Sequence, residues 1–123
     1  MHSVITEESI KTLVNTFYDK VRADQQLGPV FDQAIAEGTW PEHLETMCDF
    51  WSSVMLKTGR YHGNPAVKHL NIPAFDASLF DRWLELFSET AGEVFPEGEA
   101  AAEFEGASRN IARSLKFMLY GKA

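Results

Sequence analysis

Apolar residues recur along this chain at three- and four-residue steps, and each such run is bounded by residues that start or stop helices. From Thr6, with Glu7 and Glu8 in the first turn, Ile10, Leu13, Val14, Phe17, Tyr18 and Val21 fall on one helix face. Leu27-Gly28-Pro29 interrupts that pattern and marks a corner, after which Val30 and Phe31 open a short helical piece that fades at Glu37-Gly38. Thr39-Trp40-Pro41-Glu42 reads as a capping box with proline in the first turn, so a second long helix is expected from there to Gly59. Met47, Phe50, Trp51 and Val54 form its apolar stripe, and His43, four residues before Met47, places an imidazole on the same side.

Residues 60–75 carry one glycine and two prolines and lack a clean period, which predicts a loop holding one short helical turn from Val67 to Leu70, with His69 in it. A third helix is expected from Asp76, as its N-cap, through Leu79, Phe80, Trp83, Leu84, Phe87 and Ala91 to Val94, with Pro96 at its end. A fourth carries Phe104, Ser108, Ile111, Leu115, Met118 and Leu119, with Gly121 in the C-terminal position. No segment shows strand alternation, and there is no repeat or low-complexity tract, so the fold class is all-α.

Composition narrows the function. The 123 residues suit a single domain spanning 1–123, and 45% hydrophobic with 24% charged residues is a globular composition. A net charge of −7 argues against a nucleic-acid-binding surface. Cys48 stands alone, which rules out an internal disulfide and any four-cysteine metal site. No leader-like segment and no long apolar run is present, so a reduced, cytoplasmic setting without membrane contact is expected.

Phosphate loops, the HExxH zinc motif and the GxSxG nucleophile motif are all absent. What remains is Tyr18, His43 and His69, carried by three different segments and each expected near an apolar interior, which suggests one central pocket. For any one histidine alone, a core imidazole with a satisfied hydrogen bond is the more ordinary role. A zinc site built from His43, Cys48, His62 and His69 is disfavoured, because paired ligands at two- to four-residue spacing are missing.

Five blocks, in order, carry a resemblance: FYDKVRADQQLGPVF at 17–31, EHLETMCDFW at 42–51, VKHLNIPAF at 67–75, RWLELF at 82–87 and the closing FMLYG. Through them the chain resembles the truncated haemoglobins, most closely the group III branch, over nearly its whole length. It lacks the paired-glycine motifs of the other two groups. The resemblance implies a two-over-two helical sandwich around non-covalent haem b, with His69 as the proximal iron ligand on a short helix between Pro65 and Pro73. It implies Tyr18, His43 and Trp83 on the distal side, Phe31 against the porphyrin, and Met47, Phe50 and Val54 along the wall. The ligands would be oxygen, nitric oxide and carbon monoxide, bound by a monomer or weak homodimer. Nitric oxide dioxygenation and peroxide chemistry stay open, both requiring a separate reductase. Arg60 and Lys68 have the charge to meet haem propionates, although a solvated surface role is the simpler one for each. The alternative is a cofactor-free helical interaction module with structural histidines and an acidic face for a basic partner.

Overall fold

The computed structural model describes residues 5–36, 38–63, 77–96 and 98–120. Among them the chain forms five helices and no strand: α1 (Glu7–Ala23), α2 (Leu27–Ala34), α3 (Trp40–Leu56), α4 (Leu79–Val94) and α5 (Ala100–Tyr120). α1 pairs with α3 and α4 pairs with α5, while α1 also crosses onto α4, which sets one helix pair over the other. Among the described residues no helix is long and apolar enough to cross a membrane.

The start of α1 follows from its first residues. Thr6 accepts the Ser9 backbone N–H at 3.1 Å and Ser9 accepts that of Thr6 at 2.8 Å, a reciprocal cap that satisfies two otherwise orphaned donors. Ile10, Leu13, Val14, Phe17, Tyr18 and Val21 are buried, so the periodic face is the packed face. The corner after it differs from expectation. Leu27-Gly28-Pro29 is the first turn of α2 and not a break, because proline there gives up an N–H that no helical carbonyl would have met. Gly28 is needed for the close approach: a Cβ at this position would lie 2.9 Å from the Arg22 carbonyl oxygen.

α3 also departs from its predicted start. Thr39 occupies the N-cap position but its hydroxyl donates to the Ala36 carbonyl at 2.6 Å, so the expected capping box does not form. Local bonding of a threonine to the preceding turn has won over the cap. The helix ends at Leu56, three residues before the glycine expected to stop it, because Lys57 adopts the left-handed conformation with φ 60°. α4 begins at Leu79 after a Ser78 that makes no side-chain cap, and Asp76, the expected N-cap, lies outside the described residues. α5 starts at Ala100, one turn earlier than its first large apolar residue suggested. Gly121 also falls outside the described residues.

The core lies where α1, α3, α4 and α5 meet. Phe17, Phe87 and Phe104 are fully buried, Phe87 stacks with both Trp51 (5.0 Å) and Trp83 (5.3 Å), and Phe104 stacks with Phe95 (5.2 Å). Rings in these arrangements add to what their burial alone contributes. Met118, expected on the buried face of the last helix, is 51% exposed.

Candidate functional site

Beside this packed centre the helices leave a cavity of about 390 Å³. All five described helices contribute to its wall. Tyr18 comes from α1; Leu27, Val30 and Phe31 come from α2; His43, Thr46, Met47 and Phe50 come from α3; Leu79, Phe80 and Trp83 come from α4. Ile111, Ala112 and Leu115 of α5 and Tyr61, in the segment after α3, also line it, as do Ala34, Ile35 and Trp51. Protein interiors are otherwise filled to crystal-like density, so a void of this size with aromatic and aliphatic walls has the dimensions and character of a ligand site.

Two polar side chains meet on its wall. The Tyr18 and His43 rings lie 5.3 Å apart, edge to face, and both contact Trp40, at 6.0 and 5.5 Å respectively. Tyr18 is 5% exposed, and burial pushes its phenol far above the ordinary value, so the hydroxyl keeps its proton at any physiological pH and stays a donor. The Nε2 atom of His43 is shielded from solvent. Trp40 is fixed from outside by the Arg22 guanidinium, 4.5 Å from its ring. Trp83 reaches the same cavity from α4 but does not sit in the Tyr18–His43 contact. Its indole packs edge-on to Phe17 at 5.4 Å, and Phe17 in turn meets Tyr18 at 5.0 Å.

The structure therefore brings Tyr18, His43, Trp83, Phe31, Met47 and Phe50 onto one cavity. Val54 is half-buried against the core and is not on the described cavity wall. His69 lies outside the described residues, as does Lys68. Arg60 is committed elsewhere: it donates to both Glu7 carboxylate oxygens and to Asp49 at 3.2 Å. Those partners hold the guanidinium firmly charged and keep the Glu7 carboxyl below its usual range. The fully buried Ser52 hydroxyl joins this network, bonding Glu7 at 3.1 Å and Thr58 at 2.7 Å.

Tyr61 is a wall residue that no sequence pattern marks. Its backbone N–H donates to Ser53 Oγ at 2.9 Å and its ring meets Phe50 edge-on at 5.2 Å. It stands five residues past the end of α3, where no helical period could mark it. Leu27 and Val30, neither expected at the site, carry a readable signal, since with Phe31 they follow the three- and four-residue steps of one face of α2.

No protein-family model matches the chain. It is 39% identical over 118 residues to the group 3 truncated hemoglobin ctb of Campylobacter jejuni, an alignment covering 94% of this chain and 92% of that protein. The chain belongs to the truncated haemoglobin family. The crystal structure of the group III truncated hemoglobin from Campylobacter jejuni superposes with a TM-score of 0.90 at 37% identity, covering 98% of this chain and 95% of the other. The group 2 truncated hemoglobin YjbI of Bacillus subtilis is 28% identical over 116 residues, 93% of this chain and 86% of that protein. Similarity to the group III relative is thus the greater of the two, and the all-helical two-over-two fold of this truncated haemoglobin is the one expected.

Proposed function

We propose that this truncated haemoglobin holds haem b in the cavity, without a covalent tether, and binds oxygen and other diatomic gases there, with His69 as the proximal ligand. The observation that carries this reading is the cavity itself: about 390 Å³ of mostly apolar, aromatic-lined space whose wall presents a buried tyrosine hydroxyl beside a shielded imidazole. The donor set fits the group. A flat macrocycle needs apolar walls such as Phe31, Met47, Phe50 and Leu115, and haem, when bound, supplies an iron that takes up diatomic ligands. The sequence has no CxxCH motif, so contact and one histidine nitrogen would hold the group. A cofactor-free interaction module has no use for such a cavity, which weighs against that alternative.

The chain's own residues determine what happens to a gas molecule in the cavity. Tyr18 stays protonated and donates a hydrogen bond, and the low-dielectric wall strengthens that bond relative to water. His43, in contact with Tyr18, offers a second polar group, and Trp83 offers an indole N–H from the opposite helix pair. Donors of this kind slow departure of a ligand that carries partial negative charge. The pocket favours retention over rapid delivery. Turnover of nitric oxide or peroxide at this site needs electrons from a separate reductase. The test is oxygen release from the reduced, haem-loaded protein after Tyr18→Phe, followed by stopped flow. A net gain of about 1–2 kcal/mol for one such bond predicts release roughly 5- to 30-fold faster. Release at the parent rate would remove Tyr18 from the role assigned to it.

A further inference from the structure

Asp24 lies outside the cavity, yet it joins two of its walls. This residue caps the end of α1, its backbone N–H donating to the Val21 carbonyl at 3.1 Å. Its Oδ2 accepts the backbone N–H groups of Gln26 (3.0 Å) and Leu27 (2.9 Å), at the start of α2. Its Oδ1 accepts both Nε (2.9 Å) and Nη2 (2.7 Å) of Arg82, in the first turn of α4. The carboxylate is only 7% exposed, and the third Arg82 nitrogen is taken by Glu85 at 3.0 Å. One buried carboxylate therefore ties together the end of one helix and the starts of two others.

That arrangement meets a specific need at α4. Ser78 supplies no side-chain cap, and backbone carbonyls meet the first N–H groups of the helix, Phe80 donating to Ala77 and Asp81 to Ser78 at 3.0 Å each. A cation in the first turn of a helix is unfavourable to the helix dipole. Pairing Arg82 with Asp24 and Glu85 offsets that cost and anchors the turn laterally. The next residue is Trp83, whose indole faces the cavity while stacking with Phe87 and meeting Phe17 edge-on. On the other side of the carboxylate, Leu27, Val30 and Phe31 of α2 line the same space, although α2 makes little contact of its own with α4.

We infer that the Asp24–Arg82 pair is a positioning device for the ligand site, setting the orientation of the Trp83 indole and its distance from the α2 wall. The inference rests on the haem-pocket reading, and it adds residues to which that reading gives no role. Asp24 and Arg82 touch no ligand, and their effect passes through Trp83.

The experiment compares Asp24→Asn, Arg82→Gln and the double variant, each with Trp83 intact and with Trp83→Phe, in the haem-loaded protein. Asparagine retains an acceptor for the α2 backbone, and thermal unfolding followed by circular dichroism identifies any variant that has lost the fold. The readouts are the C–O stretching band of the reduced carbon monoxide complex, the indole N–H resonance of Trp83, and oxygen release. Each single variant is expected to shift or split the C–O band, move the indole resonance, and speed oxygen release about 3- to 10-fold, as a weakened hydrogen bond predicts. The double variant should add nothing to either single one. Arg82→Lys, which can offer one contact where arginine offers two, should fall between. In the Trp83→Phe background neither substitution should change oxygen release. Two results would overturn the inference: an indole resonance and C–O band identical to the parent's, or release that changes equally with and without Trp83. Either would leave a normal Soret band and so leave haem binding standing. A parent protein with no Soret band would instead overturn the haem reading, while the indole resonance would still show whether the pair orients Trp83.

Discussion

Phe17 and Tyr18 are neighbours in sequence and belong to two aromatic clusters that behave in opposite ways. Phe17 joins Phe87 and Phe104 in a centre where every ring is covered by another ring, and Trp51, stacked on Phe87, belongs to that centre while also reaching the cavity wall. Tyr18 joins Phe31, His43, Phe50 and Tyr61 around a space that they border and do not fill. Both clusters are rich in aromatic residues, and both draw on α1 and α3. The difference is that one satisfies its apolar surface internally, while the other leaves it facing a void. Aromatic content alone does not mark a ligand site, and unfilled aromatic walls beside a close-packed core do.

The largest effect separating the two should come from truncating one ring in each. Phe87→Ala removes a ring contacted by Phe17, Trp51, Trp83 and Phe104 and should cost about 3–5 kcal/mol in denaturant unfolding. Phe50→Ala extends a cavity that already exists, so the haem-free protein should lose less than half as much. Equal losses would erase the distinction between filled and unfilled clusters.

A smaller effect should separate them by pH. The buried rings of the filled centre hold no ionisable group, whereas the cavity side is tied by the Asp24–Arg82 and Glu7–Arg60 pairs. Hydrogen bonds from Arg82 hold the Asp24 carboxyl below its usual range, as those from Arg60 do for Glu7. A carboxyl depressed in the folded state stabilises the fold above its unfolded value, near 4, and that contribution fades as pH falls toward the depressed value. Amide hydrogen exchange followed downward from about pH 5 should therefore show α2 and the segment after α3 losing protection before the residues around Phe87 and Phe104. Simultaneous loss would mean that the ion pairs do not hold the cavity side separately.

Much of this is legible in the sequence because helical period is a local signal. The periodic faces of α1 and α3 carry Tyr18, His43, Met47 and Phe50, and all four stand on the cavity wall. Trp83 falls on the periodic face of α4, but only the family resemblance gives it a distal role. What the sequence hides is non-local or governed by competing local bonds. Asp24 and Arg82 are 58 residues apart, and neither stands on a patterned apolar face. Nothing around Arg60 hints that Glu7 and Asp49 claim it, and the Thr39 hydroxyl turns back to Ala36 where a cap is expected. The role of His69 comes from the resemblance alone, since periodicity marks the segment around it only as a loop.

The central claim is that the unfilled cluster is a haem site closed by His69, and it can be tested by adding haem to the purified protein and to His69→Ala. Visible spectra would be recorded oxidised, reduced, and reduced under carbon monoxide. The account predicts an intense Soret band in the parent that shifts on adding carbon monoxide and is lost or strongly altered in His69→Ala. A parent protein that stays colourless with haem in excess, or a His69→Ala variant with an unchanged spectrum, would contradict it.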